Sequence, residues 1–392
     1  MNTLVHGQNK INKMSKKYFF SLLWLCLSLL LGTGTILGQE HPTSIDMHVP
    51  FCSTTVLIKG KPTTYYELHL TNFSKNSIQI DKLEVLYNNK YEVLFSSERE
   101  GLRTRFSEQG FTKGNKHFLL PGSTGIVYLE YEVIIEKELN LKHQLSYSVD
   151  GKTYTSLGAK IKITNEETII LGPPLKGGPW VAINSPLWER GHRRVFYTVD
   201  GKARIPGRFA IDFMKLDKKG KTIEGNKNLV SNWYGYNADV LAVSDGEIAS
   251  VRTDFKDSEK LDSHPKYKSS EATGNYISLK IGNGKYVFYE HLKAESIRVK
   301  PGQKVKKGDV IASLGLTGQA SGPHLHFHVA NKDSPLGAEG VPFGFEEFKL
   351  LGVYDDFEKF RNRKPWDDLN QESNLNIKNE RPAPNTVIRF EN

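Results

Sequence analysis

Cysteine is nearly absent from this chain of 392 residues, which holds only Cys26 and Cys52. Cys26 lies inside an apolar N-terminal run and lacks the small residues that precede a lipidated cysteine. With that leader removed Cys52 stands alone, so an intrachain disulfide is excluded and stability must come from packing. A run long enough to cross a membrane is also missing. The apolar stretch of residues 18–31 falls short of the roughly 20 residues a spanning helix needs. Acidic residues are missing from the first 39 positions, which carry Lys10, Lys13, Lys16 and Lys17, then the apolar stretch, then the small uncharged segment 32–39. That order predicts a secretory signal peptide over residues 1–39 and an exported product that is periplasmic, cell-surface or secreted, with no stable membrane span after cleavage. A strong charge of one sign is absent as well. The formal net charge of +9 falls to about +5 once those four lysines are gone. Such an excess favours an anionic surface but is too small and too scattered for a nucleic-acid partner.

What is present is material for real cores: 38% of residues are apolar and 11% aromatic, which excludes wholesale disorder and fibrous repeats. Residues 40–165 alternate apolar and polar positions in short runs, as in Ile78-Gln79-Ile80-Asp81-Lys82-Leu83, broken by Asn-rich and Gly-rich turns. This predicts a β-sandwich of immunoglobulin-like type, a binding or spacing module whose histidines His48, His69, His117 and His143 are scattered and structural. Glycine and proline crowd residues 172–179, predicting a linker over 166–179. Residues 180–352 form a second β-rich region with almost no helical periodicity. The polar residues 353–392, with Asp pairs, Asn runs, Pro382 and Pro384, predict a loosely ordered extension. The predicted fold class is therefore all-β, in two parts. The sequence is silent on oligomeric state.

Of twelve histidines, four fall within residues 289–329. In Gly322-Pro323-His324-Leu325-His326-Phe327-His328-Val329 they alternate with apolar residues, so a strand would place His324, His326 and His328 on one face. Three imidazoles on one surface suit a metal site better than a polar sheet face. Upstream, Arg208-Phe209-Ala210-Ile211-Asp212-Phe213 puts one carboxylate inside an apolar strand, where it needs a cation partner, either a metal ion or an arginine. A third strand, Lys285-Tyr286-Val287-Phe288-Tyr289-Glu290-His291-Leu292, presents His291 at its end.

Together these pieces resemble the LytM and lysostaphin-type zinc peptidases, which cut peptide bonds in bacterial cell walls. The resemblance runs from about Arg204 to Val329. It also takes in Ala238-Asp239-Val240-Leu241-Ala242-Val243-Ser244-Asp245-Gly246, the Lys300-Pro301-Gly302-Gln303 turn and Thr317-Gly318. It implies that the second part is an antiparallel LytM-type peptidase domain of barrel-sandwich hybrid type, binding one zinc ion per chain and acting on peptidoglycan peptides. By position it implies Asp212 and His326 as zinc ligands, and His291 and His324 as catalytic histidines that are not ligands. The zinc would polarise the scissile carbonyl and activate water, while those histidines move the proton and stabilise the oxyanion. No His-Glu-x-x-His helix is present, so imidazole must do the work that a glutamate does in such enzymes. The insertion 254–272 would lie near the substrate groove.

One departure stands out. The family's first ligand is a histidine four residues before the aspartate, and Arg208 occupies that place with no lone pair to give. On one strand face Arg208 and Asp212 would pair and neutralise each other without zinc. This keeps open a catalytically inactive member that binds the wall or regulates another wall hydrolase. A substitute ligand is available in His192. A two-residue hairpin about Asp200-Gly201 pairs residues whose numbers sum to 401, bringing His192 opposite Phe209, beside the gap. Strict pairing puts it on the wrong face, which a slip at Pro206-Gly207 would correct. His264 and His328 are weaker candidates. A third reading, a lipoyl-like carrier domain, rests on the pattern of residues 299–314 and leaves the histidines unexplained.

Overall fold

A computed structural model describes residues 44–52, 54–87, 92–108, 118–134, 138–164, 166–189, 191–368 and 375–391. The predicted signal peptide and His117 lie outside the described residues.

The alternating N-terminal segments pair into two antiparallel sheets. In one, strand Lys61–Asn72 lies between Ile45–His48 and Thr124–Glu132. In the other, Glu138–Val149 lies between Lys152–Thr164 and Ile78–Tyr87. Their inner faces share one apolar core, including Leu68, Leu70, Val127 and Leu129 from the first sheet and Ile80, Leu83, Val85, Leu141 and Leu145 from the second. Two sheets closing over a common core make a sandwich, because each strand has one apolar face to hide.

A larger sheet of twelve strands follows among the described residues. Its middle carries the candidate chemistry. Strand Ile211–Lys215 pairs antiparallel with Leu325–Ala330, which pairs in turn with Lys285–Glu290. Phe213, Phe327, Phe343, Phe345 and Phe390 meet on the apolar side of this sheet, all fully buried. The hairpin about Asp200-Gly201 forms with the expected register, Tyr197 opposite Arg204 and Val199 opposite Lys202, and both turn residues have positive φ.

Two expected boundaries dissolve. Residues 166–179 supply strand Ile169–Leu171, parallel to residues 343–345, and the start of Gly177–Ile183, which lies between Ile211–Lys215 and Thr386–Phe390. The reason is apolar content: Leu171, Leu175 and Trp180 are buried. Gly178 is there for close approach, since a Cβ would sit 2.8 Å from the Ile388 carbonyl oxygen. The polar C-terminal residues likewise carry strands, Leu375–Glu380 and Thr386–Phe390, both paired with Phe343–Val353. Arg381 is buried and donates to the carbonyls of Phe209 (2.8 Å) and Ala210 (3.3 Å), bracing the turn that leads into Asp212. Residues 44–392 accordingly fall into a single compact unit. The sandwich joins the second core directly, through Val56, Ile58 and Tyr65, the last stacked on Phe209 with ring centres 5.2 Å apart.

Candidate functional site

Directly opposed residues on neighbouring strands share a sheet face. His326 stands opposite Asp212 on one side and opposite Glu290 on the other. These three therefore form a row across the sheet, with His328 two residues along the central strand. His324 immediately precedes that strand. His291 follows the Glu290 strand with φ +60°, the left-handed region that a β-carbon disfavours, and its amide is held by the Thr273 carbonyl.

Asp212 sits at the centre of the histidines. One carboxylate oxygen accepts from His326 Nδ1 at 2.9 Å and the other from His192 Nε2 at 2.8 Å. His324 Nε2 is 3.6 Å from Asp212. The ring centres of His192 and His326 are 4.5 Å apart, and those of His291 and His324 are 4.6 Å apart. His192 reaches Asp212 from a short 3₁₀ turn, His192–Arg194, rather than from the hairpin ladder, so no register slip is needed. It packs against a second 3₁₀ turn, Pro206–Phe209, so closely that a Cβ on Gly207 would lie 2.7 Å from His192 Cβ.

Arg208 does not pair with Asp212. The 3₁₀ turn takes it off the strand face, and its buried guanidinium bonds to Glu67 at 2.8 Å and Glu339 at 2.8 Å. His264 bonds to the Gly318 carbonyl at 2.8 Å and to Ser258 at 3.2 Å, tying the insertion 254–272 to a neighbouring loop. Leu261, residues 264–267 and residues 318–321 line a cavity of about 440 Å³ beside that tie. His328 is stacked on Phe288 with ring centres 4.9 Å apart, and neither of its nitrogens has a hydrogen-bond partner.

Electrostatics follow from burial. Desolvation alone would raise Asp212, but His192 and His324 outweigh it and hold the carboxyl well below the ordinary range. For His192 burial opposes the charged form, and the Asp212 carboxylate more than restores it, so its pKa is raised. Burial and the neighbouring His192 push His326 down to about 4. His291 also falls well below its ordinary value through burial and the neighbouring histidines. Glu290 is pushed far up by burial and by the charge of Asp212. Sequence reasoning missed Glu290, although a lone carboxylate in an apolar strand was the very signal that marked Asp212.

The ring tautomers are set by backbone carbonyls. His291 Nδ1 donates to Thr317 at 2.8 Å and His324 Nδ1 donates to Gly322 at 2.8 Å. Each then keeps a lone pair on Nε2. A cavity of about 240 Å³ opens here, lined by His192, Tyr197, Glu290, His291, His326 and His328. Ligand atoms of His192, Asp212 and His326 lie within 4.8 Å of one another. Two imidazoles and a carboxylate converging on one point are the donor set that zinc prefers, and they fit the ion.

Residues 230–338 match the sequence profile of Peptidase family M23. The match takes in His291, His324 and His326 and begins after Asp212, so the rearranged part of the site lies outside it. Among curated proteins, the peptidoglycan DD-endopeptidase ShyA of Vibrio cholerae is 30% identical over 178 residues, covering 45% of this chain and 36% of that protein. The peptidoglycan DD-endopeptidase ShyB of the same organism is 36% identical over 101 residues, 26% of this chain and 20% of that protein. The chain thus spans no more than about a third of the length of these relatives, at 36% and 20%. Among solved structures, the catalytic domain of lysostaphin from Staphylococcus simulans is 22% identical, covering 42% of this chain and 88% of that one, with a TM-score of 0.23.

Proposed function

We propose that this chain, whose residues 230–338 match Peptidase family M23, is an exported zinc metalloendopeptidase that hydrolyses peptide bonds in bacterial peptidoglycan. The observation that carries the reading is the carboxylate of Asp212 held between His192 and His326, with the free Nε2 lone pairs of His291 and His324 beside it. His192, Asp212 and His326 would hold the zinc, with His192 in place of the histidine that Arg208 displaced. When bound, the ion supplies Lewis acidity to the scissile carbonyl and to the attacking water.

The chain's own residues do the rest. As a water oxygen adds to the carbonyl carbon, Nε2 of His324 or His291 accepts its proton, a role open to a neutral imidazole. The low pKa of His291 keeps that ring neutral at physiological pH. The second imidazole faces the oxygen on which negative charge develops and donates to it when protonated. Collapse of the tetrahedral species breaks the C–N bond, and the stored proton passes to the leaving amine. The insertion 254–272 borders the adjoining cavity and would select the peptide. The relatives' names, DD-endopeptidases, point to cross-links between D-amino acids as the first substrates to try.

The test is elemental analysis of the purified exported form followed by digestion of purified peptidoglycan, with the muropeptides resolved by mass. About one zinc per chain and loss of cross-linked species, both abolished by His326→Ala, are expected. A protein that takes up no zinc even with excess metal overturns the proposal.

A further inference from the structure

Two changes mark this site: a histidine arrives from outside the usual strand, and an arginine stands where a ligand was expected. Both lead to the same carboxylate. Glu67, on the sandwich strand Lys61–Asn72, accepts from Arg193 Nε on one oxygen (2.7 Å) and from Arg208 Nε on the other (2.8 Å). All three side chains are almost wholly buried. Burial alone would raise the Glu67 carboxyl, but the charges of Arg208 and Arg193 hold it below its ordinary value.

Arg193 is the residue after His192, and its anchoring is thorough. It also donates to Glu130 (3.0 Å) and to the carbonyls of Tyr66 (2.8 Å) and Leu129 (2.8 Å), all in the sandwich. Arg194 follows, lying 3.7 Å from the centre of the Tyr128 ring and bonding to the Thr104 carbonyl. Three successive residues of one 3₁₀ turn therefore divide their side chains, His192 into the site and Arg193 and Arg194 into the sandwich. On the far side, Arg208 fixes the turn that Gly207 presses against His192. Nothing within the turn itself obliges it to hold His192 against Asp212, since its preceding residue makes no side-chain cap.

We infer that the N-terminal sandwich is a working part of the metal centre: Glu67 and Arg193 are positioning residues that deliver His192 to the zinc site, so metal affinity is coupled to docking of the sandwich. The inference rests on the zinc reading above. A carbonyl or carboxylate that orients a ligand from behind usually changes metal affinity about 10–100-fold when removed. Here the orienting group lies in another part of the fold, reached through the backbone of residues 192–193. By linkage, zinc must in turn tighten the docking.

The experiment uses the full exported protein. Zinc affinity is measured by competition with a chelator, and the site geometry by the visible absorption of the cobalt-substituted form, for wild type, Glu67→Gln, Arg193→Met and His192→Ala. Glu67→Gln and Arg193→Met are expected to lose about 10–100-fold in affinity and to shift the cobalt spectrum toward that of His192→Ala. Leu145→Ala, in the sandwich core and away from Glu67, serves as the control: it should lower the melting temperature and leave both readouts unchanged. Hydrogen exchange on the wild type alone tests the reciprocal effect, and zinc should slow the amides of residues 65–68 and 128–130. Wild-type affinity and spectrum in the folded Glu67 and Arg193 variants would sink the inference while leaving the zinc reading intact. Exchange at 65–68 and 128–130 that ignores zinc would do the same where those variants do not fold. A wild type without zinc takes both down.

Discussion

His143 in the sandwich and His291, His324 and His326 beside Asp212 are all buried, and they differ in what remains unpaired. His143 uses both nitrogens: Nδ1 donates to the Ala159 carbonyl at 2.8 Å and Nε2 accepts from the Tyr66 hydroxyl at 2.8 Å. Burial pushes it down to about 4, as burial does for His326. A low pKa therefore does not separate a structural histidine from one that does chemistry. The free lone pair does. His291 and His324 each spend Nδ1 on a carbonyl; His324 Nε2 lies 3.6 Å from Asp212 and His291 lines the open cavity, while His192 and His326 converge on that acid.

Asp212→Ala should have the largest effect, because it removes the group on which two imidazoles converge. Zinc should be lost beyond the roughly 10–100-fold typical of outer groups, and hydrolysis with it, as read by elemental analysis and muropeptide release. Next come His291→Ala and His324→Ala. These should keep zinc and lose about 10²- to 10⁴-fold in rate, and parallel loss of zinc would erase the line drawn between ligands and proton carriers. His143→Leu is the counterpart in the sandwich. It removes the donor to the Ala159 carbonyl and one of the two partners of the Tyr66 hydroxyl, which keeps Tyr131, and should cost about 1–3 kcal/mol in urea unfolding, with zinc unchanged. His328→Leu should be the mildest, holding zinc and changing stability by no more than about 1 kcal/mol, since neither ring nitrogen has a hydrogen bond to lose and the Glu290 carboxyl lies 3.8 Å away.

Protons sharpen the same contrast. The raised pKa of His192 keeps its proton to higher pH, so the metal-free His192–Asp212 pair contributes stability fully below the ordinary histidine value and loses it as pH rises through the raised one. Zinc must displace that proton. Its affinity should weaken as pH is lowered across this window, and His192→Ala should flatten the slope in a chelator competition.

Much of the site was legible because strands write their faces in alternate residues. The run from His324 to His328 announced a shared surface, and Asp212 announced itself as a charge among apolar neighbours. The hairpin register about Asp200-Gly201 came out as the turn chemistry requires. The tail was misread because its polar residues outnumber the few that anchor it: Val387, Ile388 and Phe390 fall in a stretch too short to stand out, yet all three are buried. The linker was misread for the opposite reason: Gly172 and Gly178 serve close approach, while Gly177 supplies a positive φ.

The sequence by itself determined the all-β class and the histidine-rich strand, since both follow from local pattern. Only the tertiary structure decided the fate of Arg208 and His192. Arg208, and Arg193 next to His192, both bond to Glu67, which lies 141 residues before Arg208, and a buried carboxylate chooses its arginines by distance in space. That is a property of how two sheets dock, and no periodicity along the chain records it.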